Sequence, residues 1–489
     1  MPSVRCVSEI EENGMCKPLR GRKAWLFLFS ILITNSTFVF SQSNIYTFTG
    51  EVDLGVHYAA FLSSGQHYIG ARGDTVYVVT SDGGNVYCQK STDGGQSFGL
   101  PVVVNSAPQA TNPSMRVDTA GVIYVAYQLN ADIYFSKSTD GGFSFTPAVK
   151  VNDDTIPEIG QEKPVIAVNN KGQIFIAWGD QRNAPPPTTK NLFFASSFDT
   201  GRTFGSNIQI NDPVLPIVWG MDIATDDFKR VYVVWNSYLS SGNKGPIYLA
   251  RSVDSGGNFG TETLVTDLPS DSTWARGFFP SLALGGEVVG VAWEDRRFEQ
   301  YTLRFTTSND FGLTFSPSIR VDDDADITDE TAPLTPSMAY NKGILYVVWR
   351  DAGPNWRTSF SYSPNNGQSF LPSKSVSSFN SSQLFPSLTI NGSGKAFVAW
   401  LDNRVDPIFS ENRHTFVTWG IPQTVKGDLN LDGIITMVDI VMELNAIFLA
   451  QPFPAPFHTA DGNCDETLSA ADMVWLLYRY YLNTPFPCS

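Results

Sequence analysis

Oxygen-bearing side chains near the C-terminus recur at the spacing a hard cation needs. With Asp428 as position 1, Asn430 stands at 3, Asp432 at 5, Gly433 at 6, Ile434 at 7, Thr436 at 9 and Asp439 at 12. Calcium takes about six to eight oxygens, and one short loop supplies them here from side chains and the Ile434 carbonyl, the glycine permitting the sharp turn. A second copy starts at Asp461, with Asn463 at 3, Asp465 at 5, Thr467 at 7, Ser469 at 9 and Asp472 at 12. Glu466 replaces the glycine at position 6, so weaker binding is expected from this loop. The spacing predicts two Ca²⁺ sites.

A second constellation pairs aspartate with arginine. Trp178-Gly-Asp180-Gln-Arg182, Trp293-Glu-Asp295-Arg-Arg297 and Trp400-Leu-Asp402-Asn-Arg404 share the pattern W-x-D-x-R, and Trp349-Arg-Asp351 keeps half of it. An Asp and an Arg two residues apart can pair and order a loop. The same guanidinium can instead grip a ligand carboxylate with two hydrogen bonds. Less repetitive segments carry Glu158, Glu162, Trp219, Asp222, Trp274 and Arg276. Trp274 and Arg276 offer a stacking face and a charge to a sugar. Glu162, Asp222 and Glu294 are the candidates for paired-carboxylate glycoside hydrolysis.

The elements that must hold these residues are set by an octapeptide. Ser91-Thr-Asp-Gly-Gly-Gln-Ser-Phe98 returns at Ser138, Ser197, Ser252 and Ser308 as S-x-D-x-G-x-x-F, and at Ser363 with Asn365 in place of Asp. Recurrence every 47 to 59 residues, read between the terminal phenylalanines, marks an array of equivalent units. Each octapeptide reads as a hairpin turn: the Asp accepts turn amides, the Gly supplies a positive φ, and the Phe plugs the space beneath. The unit around the fifth copy reads as four strands, at Phe279, Val288, Tyr301 and Pro317. That is one propeller blade. Second strands, all but the first ending in Trp or Tyr, can be counted separately and number seven, the first at Val76 and the last ending at Trp400. The segment from Asn44 is expected to supply the outer strand of the last unit, removing exposed edges. The fold class is therefore mainly β, a seven-bladed propeller with six blades as the alternative, followed by a small all-α domain.

These turns resemble the Asp box, the bacterial neuraminidase repeat of sialidases and related propellers. The resemblance covers about residues 42–423. It implies that the boxes lie on the face away from the ligand, with the W-x-D-x-R segments on the ligand face. It also implies an arginine triad, a Tyr–Glu nucleophile pair and an Asp acid/base. The Arg-Ile-Pro segment of typical members is absent, Arg72 being the nearest early arginine, and no Tyr–Glu pair is assignable from sequence.

The two calcium loops, each followed by a helical stretch, resemble a type I dockerin domain over residues 427–483. That resemblance implies attachment to a cohesin-type scaffold, with Met437-Val438 and Ala470-Ala471 giving an unusually apolar contact pair. A short linker, 424–426, separates the two regions, and 484–489 form a tail.

Totals agree with this layout. The chain has 489 residues, 42% hydrophobic and 17% charged, with 40 Gly and 30 Pro, which suits a turn-rich β protein. A net charge of −15 disfavours nucleic acid as a partner. Basic residues from Lys17 to Lys23 precede an apolar run from Ala24 to Ile33, the order of a secretory signal peptide over residues 1–41, with Met15 an alternative start. After its cleavage no membrane span is expected; the alternative is an uncleaved anchor. Among the five cysteines, Cys464 and Cys488 can pair in an exported protein. The sequence points to a secreted sialidase-like, carbohydrate-active protein that hydrolyses or binds extracellular glycans in polysaccharide breakdown. The alternative is a non-catalytic extracellular recognition propeller, which the regularity of the repeats favours.

Overall fold

Burial begins with the second strand of each repeat. Val288–Asp295 reads Val-Val-Gly-Val-Ala-Trp-Glu-Asp and is buried at every position after Val288. Successive rather than alternating apolar side chains are what a strand covered on both faces requires. In the computed structural model these strands sit inside seven four-stranded antiparallel sheets. The structure describes residues 46–56, 67–155, 159–182, 190–212, 217–238, 244–267, 277–297, 301–323, 334–351, 356–405, 413–422, 427, 429, 437–449, 460–462, 468–482 and 486. The chain divides into Met1–Ser41 and Gln42–Ser489. The first unit, with the expected signal peptide, lies outside the described residues, as do the linker, Cys464 and Cys488. Among the described residues no helix is long and apolar enough to cross a membrane.

Six sheets each take four consecutive strands. Blade 5, for example, is Gly277–Gly285, Val288–Asp295, Thr302–Ser308 and Ile319–Arg320, from inner to outer. Blades 1 to 7 begin at Ile69, Ala110, Gln161, Ile217, Gly277, Leu334 and Gln383. The last sheet is closed from the other end of the chain: Gln383–Ile390, Ala396–Asp402 and His414–Pro422 are completed by Tyr46–Val56. Tyr46 pairs with Pro422 and Val56 with His414. Seven blades, ring-closed by the N-terminal strand, are thus the architecture, and the six-bladed alternative falls away.

Inner strands of successive blades pack on one another, blade 7 returning to blade 1. Side chains stitch this ring. The Met338 amide donates to Ser281 Oγ at 3.0 Å, Leu388 to Ser337 Oγ at 3.1 Å, and Tyr68 to Ser387 Oγ at 3.2 Å. In blade 4 the equivalent acceptor is Asp222 Oδ2, 2.8 Å from the Leu282 amide. Each serine follows a proline, and the residue before that proline is left-handed: Phe279 (φ 48), Thr335 (φ 53) and Phe385 (φ 50). Pre-proline residues avoid the helical region, and here the strain coincides with a register shift in each inner strand.

The octapeptide turns have the expected chemistry. Ser91 Oγ donates to Asp93 Oδ1 (2.7 Å) and accepts the Gly95 amide (2.9 Å), while Asp93 Oδ1 accepts the Gln96 and Ser97 amides, both at 3.0 Å. Asn365 keeps the acceptor role toward the Ser369 amide. The terminal phenylalanine differs from expectation. It does not merely fill its own turn but reaches the preceding blade: Phe204 meets Phe135 at 5.5 Å, Phe259 meets Phe194 at 5.0 Å and Phe370 meets Phe305 at 4.9 Å, all edge-on. The turn is therefore a joint between blades. Gly201 explains its own residue type twice, with φ +84 and a would-be Cβ only 2.2 Å from Phe135.

Hydrogen bonds from turn hydroxyls and amides hold Asp93, Asp140, Asp199 and Asp310 well below the usual carboxylate range, and Asp254 down to about 2. A depressed folded-state pKa contributes stability above the unfolded value that is lost as pH falls through the folded one. The turns' contribution to the thermal midpoint should therefore be intact above about pH 4 and be lost progressively below it, at Asp254 as pH falls through about 2. Calorimetry on Asp254→Asn should show a shallower acid fall than the parent; identical slopes would remove the turns as the cause.

Beyond the propeller strands, α1 (Met437–Leu449) and α2 (Ala470–Leu482) pack together. Their small core joins Leu429 and Ala460 with Met442 and Leu468. Burial, then Asp472 and Asp439, push the Glu443 carboxyl up to about 8.

Candidate functional site

Register locates the two ends of each blade. In blade 5 Val289 pairs with Ser308, where the octapeptide starts, and Asp295 with Thr302 at the far end. The W-x-D segments therefore cluster at the end opposite the octapeptide turns.

Their repeated residues are bound to one another. The Trp178, Trp293 and Trp400 indoles donate to Asp180, Asp295 and Asp402 at 2.9, 2.9 and 3.0 Å. Arg182 holds Asp180 at 2.8 Å and Asp153 at 2.6 Å, and also reaches Asp154. Arg297 holds Asp295 and Asp267, both at 2.7 Å. Arg404 pairs with Asp402 and with Glu51 of the closing strand. Burial alone would lower the Arg297 pKa; Asp295 and Asp267 more than offset this and hold it above its ordinary value. Each of these guanidiniums already has at least two carboxylates, so their demonstrated contacts order the rim. Asp351 accepts Ser359 Oγ at 3.1 Å.

The carboxylate candidates are also held by protein groups. Glu162 pairs with Lys190. Asp222 is fully buried, accepts Leu282 N and Ser281 Oγ, and faces His67 Nε2 at 3.3 Å and Arg116 at 3.9 Å. His67 Nδ1 lies 3.4 Å from Ser337 Oγ. Burial, and then Arg116, lower the His67 pKa, with Asp222 acting against them. This knot borders a cavity of about 280 Å³ lined by Arg116, Thr225, Met338 and Leu388 among others. Glu294 is fully buried and accepts Arg296 Nε at 2.7 Å.

What sequence reading missed is the middle residue of W-x-D. Tryptophan and aspartate repeat, but the residue between them is Gly179 in blade 3, Asn236 (in an Asn-Ser variant) in blade 4, Glu294 in blade 5, Arg350 in blade 6 and Leu401 in blade 7. Variation inside a repeated frame was the available signal. On blades 5 and 6 it builds a cationic, aromatic cluster. Arg296 stands between the Phe278 and Tyr301 rings, 4.2 Å from each. Arg350 lies 3.8 Å over the Trp356 ring, and Trp356 is 39% exposed. Among the described residues the Arg350 guanidinium has no ion pair or hydrogen bond, and its Nε is a buried donor without a partner. Burial pulls its pKa down to about 10; Glu294 acts against this and Arg413 reinforces it. Arg413 donates to the Ser382 carbonyl at 3.0 Å. A desolvated guanidinium with no anion of its own can take one from a ligand, and the exposed indole beside it can stack on a sugar ring.

Glu158, Trp274 and Arg276, and the side chain of Trp219, lie outside the described residues. So do Asp428, Asn430, Asp432, Ile434, Thr436, Asn463, Asp465 and Thr467 of the two loops. Of the predicted calcium ligands, Asp439, Asp461, Ser469 and Asp472 are described. Asp439 and Asp472 are fully buried at the starts of α1 and α2. Among the described residues no three His, Cys, Asp or Glu side chains converge on one metal-sized point.

No protein-family model matches the chain, and no curated protein does. Solved structures do. A PL25 ulvan lyase with -[GlcA(1-4)Rha3S]- bound is similar over 76% of this chain and 95% of its own, at 13% identity and a TM-score of 0.53. The Hadza microbial sialidase Hz136 covers 71% of this chain and 73% of its own, at 15% identity and a TM-score of 0.45. The GH93 α-L-arabinofuranosidase of Fusarium graminearum, in complex with arabinobiose, covers 64% and 93%, at 14% identity and a TM-score of 0.44. At these identities the likeness to the lyase shows a shared propeller fold.

Proposed function

We propose that this chain is a secreted, carbohydrate-active propeller that engages an acidic extracellular glycan at the rim of blades 5 and 6. The observation that carries the reading is Arg350, partly buried, without an ion pair among the described residues, and laid on the exposed Trp356. A uronate or sulfate group would receive the guanidinium fork, with the indole under the sugar ring. Glu294, oriented by Arg296 beside Tyr301, is the carboxylate best placed for a role in turnover. The ulvan lyase of the same fold is bound to -[GlcA(1-4)Rha3S]-, and the octapeptide turns resemble the Asp boxes of sialidases and related propellers, which supports a glycan as the ligand.

The C-terminal helices and loops form, in this reading, a calcium-dependent dockerin-like module that attaches the propeller to a cohesin-type scaffold in polysaccharide breakdown. Asp439 and Asp472, which close the two predicted loops, are buried at the starts of α1 and α2, and this supports the reading. Bound calcium would neutralise these carboxylates and lock each loop onto its helix.

A second reading, non-catalytic recognition, is favoured by one observation. Glu162, Asp222 and Glu294 are each already held by a cation or amide of the protein. One experiment separates the two. The full chain is incubated with sialosides, uronate polymers, sulfated polysaccharides and neutral plant polysaccharides, and products are read by mass spectrometry while binding is read by calorimetry. Released sugar from an acidic glycan establishes turnover. Binding without release establishes recognition. Neither binding nor release of any acidic glycan overturns the assignment.

A further inference from the structure

The cavity of about 280 Å³ lies in the half of the channel nearer the octapeptide turns, and it is just below the size range of ordinary small-molecule pockets. Register fixes its place. Leu284, in its lining, pairs with Val289, and Val289 pairs with Ser308, the first residue of an octapeptide. Arg350 pairs with Thr358 at the other end of its blade. The cavity is therefore separate from the rim of blades 5 and 6. Most of its wall is apolar, with Ile223, Leu282, Met338 and Leu388 in it, while Thr225 and Thr389 add hydroxyls. Arg116 is the one Arg, Lys, Asp or Glu among the described lining residues.

The repeat shows that Arg116 is not needed for packing. Arg116 pairs with Tyr124. The same place is held by Ala167 opposite Phe175, Ala224 opposite Tyr232, Ala283 opposite Gly290, Ala339 opposite Tyr346 and Thr389 opposite Phe397. A small side chain therefore satisfies the strand in five blades, and the arginine answers another requirement.

That requirement is not the neutralisation of Asp222. The Ile223 and Leu282 amides already reach the two Asp222 oxygens at 2.7 and 2.8 Å, and Ser281 Oγ donates at 3.2 Å. Arg116 Nη2 stands 3.9 Å from Asp222, beyond hydrogen-bond reach. Among the described residues the guanidinium makes one hydrogen bond, from Nη1 to the Met115 carbonyl at 2.9 Å. Its side chain is 27% exposed and lines the cavity, so most of its N–H groups are left for a ligand.

We infer that the octapeptide half of the channel is a second ligand site, in which Arg116 grips the carboxylate of a small monocarboxylic acid and the apolar wall receives its body. A carboxylate matches the guanidinium fork. One negative charge is the limit, because Asp222 behind the guanidinium repels a second.

The test is a ligand-observed NMR titration of the full chain with butyrate, its neutral isostere butyramide, and inorganic phosphate. The parent should bind butyrate at least roughly tenfold more tightly than either of the others, the worth of hydrogen bonds to a charged group. Arg116→Ala, which installs the residue of four other blades, should fold with an unchanged circular dichroism spectrum and lose that preference. Ala224→Leu, which fills the cavity and leaves every charge in place, should weaken butyrate and butyramide alike. Arg350→Ala should leave butyrate affinity as it was. Equal binding of butyrate and butyramide by the parent overturns the inference, as does a preference for phosphate. A butyrate preference that survives Arg116→Ala, or one lost in Arg350→Ala, places the anion elsewhere and also overturns it.

Discussion

Replacing Arg350 with alanine should lower affinity for an acidic oligosaccharide by roughly 100-fold, the effect of deleting one partner of a desolvated charge pair. The physical reason is that Arg350 has been taken out of water without being paid back by the protein. Its guanidinium lies on Trp356, its Nε is buried without an acceptor, and burial lowers its pKa to about 10. An incoming carboxylate or sulfate supplies the missing acceptor. Arg350→Lys should retain part of the affinity, because a point charge survives but the planar fork does not. A neutral oligosaccharide should be indifferent to the change. Arg182→Met is the control, since Arg182 is occupied by Asp180, Asp153 and Asp154. It should cost stability and leave glycan affinity alone. Equal loss for neutral and acidic sugars in Arg350→Ala would show that the residue shapes the rim and grips no anion.

The largest effect on stability is expected from Trp293→Ala. Trp293 is fully buried between blades, in the cluster that joins Tyr232 and Leu249 of blade 4 to Val291 of blade 5. Truncating a buried tryptophan costs about 3–5 kcal/mol in transfer and cavity terms. Its indole also donates to Asp295 at 2.9 Å, and Asp295 is 2% exposed. A matched comparison isolates that bond. The Trp349 indole N–H has no acceptor, although Trp349 is 1% exposed. Trp293→Phe should therefore destabilise more than Trp349→Phe by about 1 kcal/mol, the net worth of one hydrogen bond. Thermal midpoints of the three variants read this directly; equal losses for the two phenylalanine variants would mean that the W-x-D bond carries no net stability.

Both expectations come from W-x-D segments, those of blades 6 and 5, and they show where sequence stops. The octapeptide turns, the seven second strands and the closing strand from the N-terminus are local patterns repeated many times. Repetition makes them legible, because each copy confirms the residue types that φ, burial and turn amides require. The oxygen spacing of the two C-terminal loops is legible for the same reason, since it runs along one short segment in each. The pairing of Asp180 with Arg182, Asp295 with Arg297 and Asp402 with Arg404 was also readable from the two-residue spacing. That the arginines are saturated was not, because their further partners Asp153, Asp267 and Glu51 lie 29, 30 and 353 residues away.

The sequence by itself determined the blade, its turn chemistry and the oxygen spacing of the loops, and it favoured seven blades over six. These depend on contacts between neighbours in the chain or on a pattern repeated in register. The tertiary structure alone decided which charges are neutralised. Ring closure brings Glu51 to Arg404, buries Asp222 among groups from other blades, reaches Phe204, Phe259 and Phe370 to the blade before each, and among the described residues leaves Arg350 Nε without an acceptor. Charge compensation is a property of what surrounds a group in space, and no spacing along the chain encodes it.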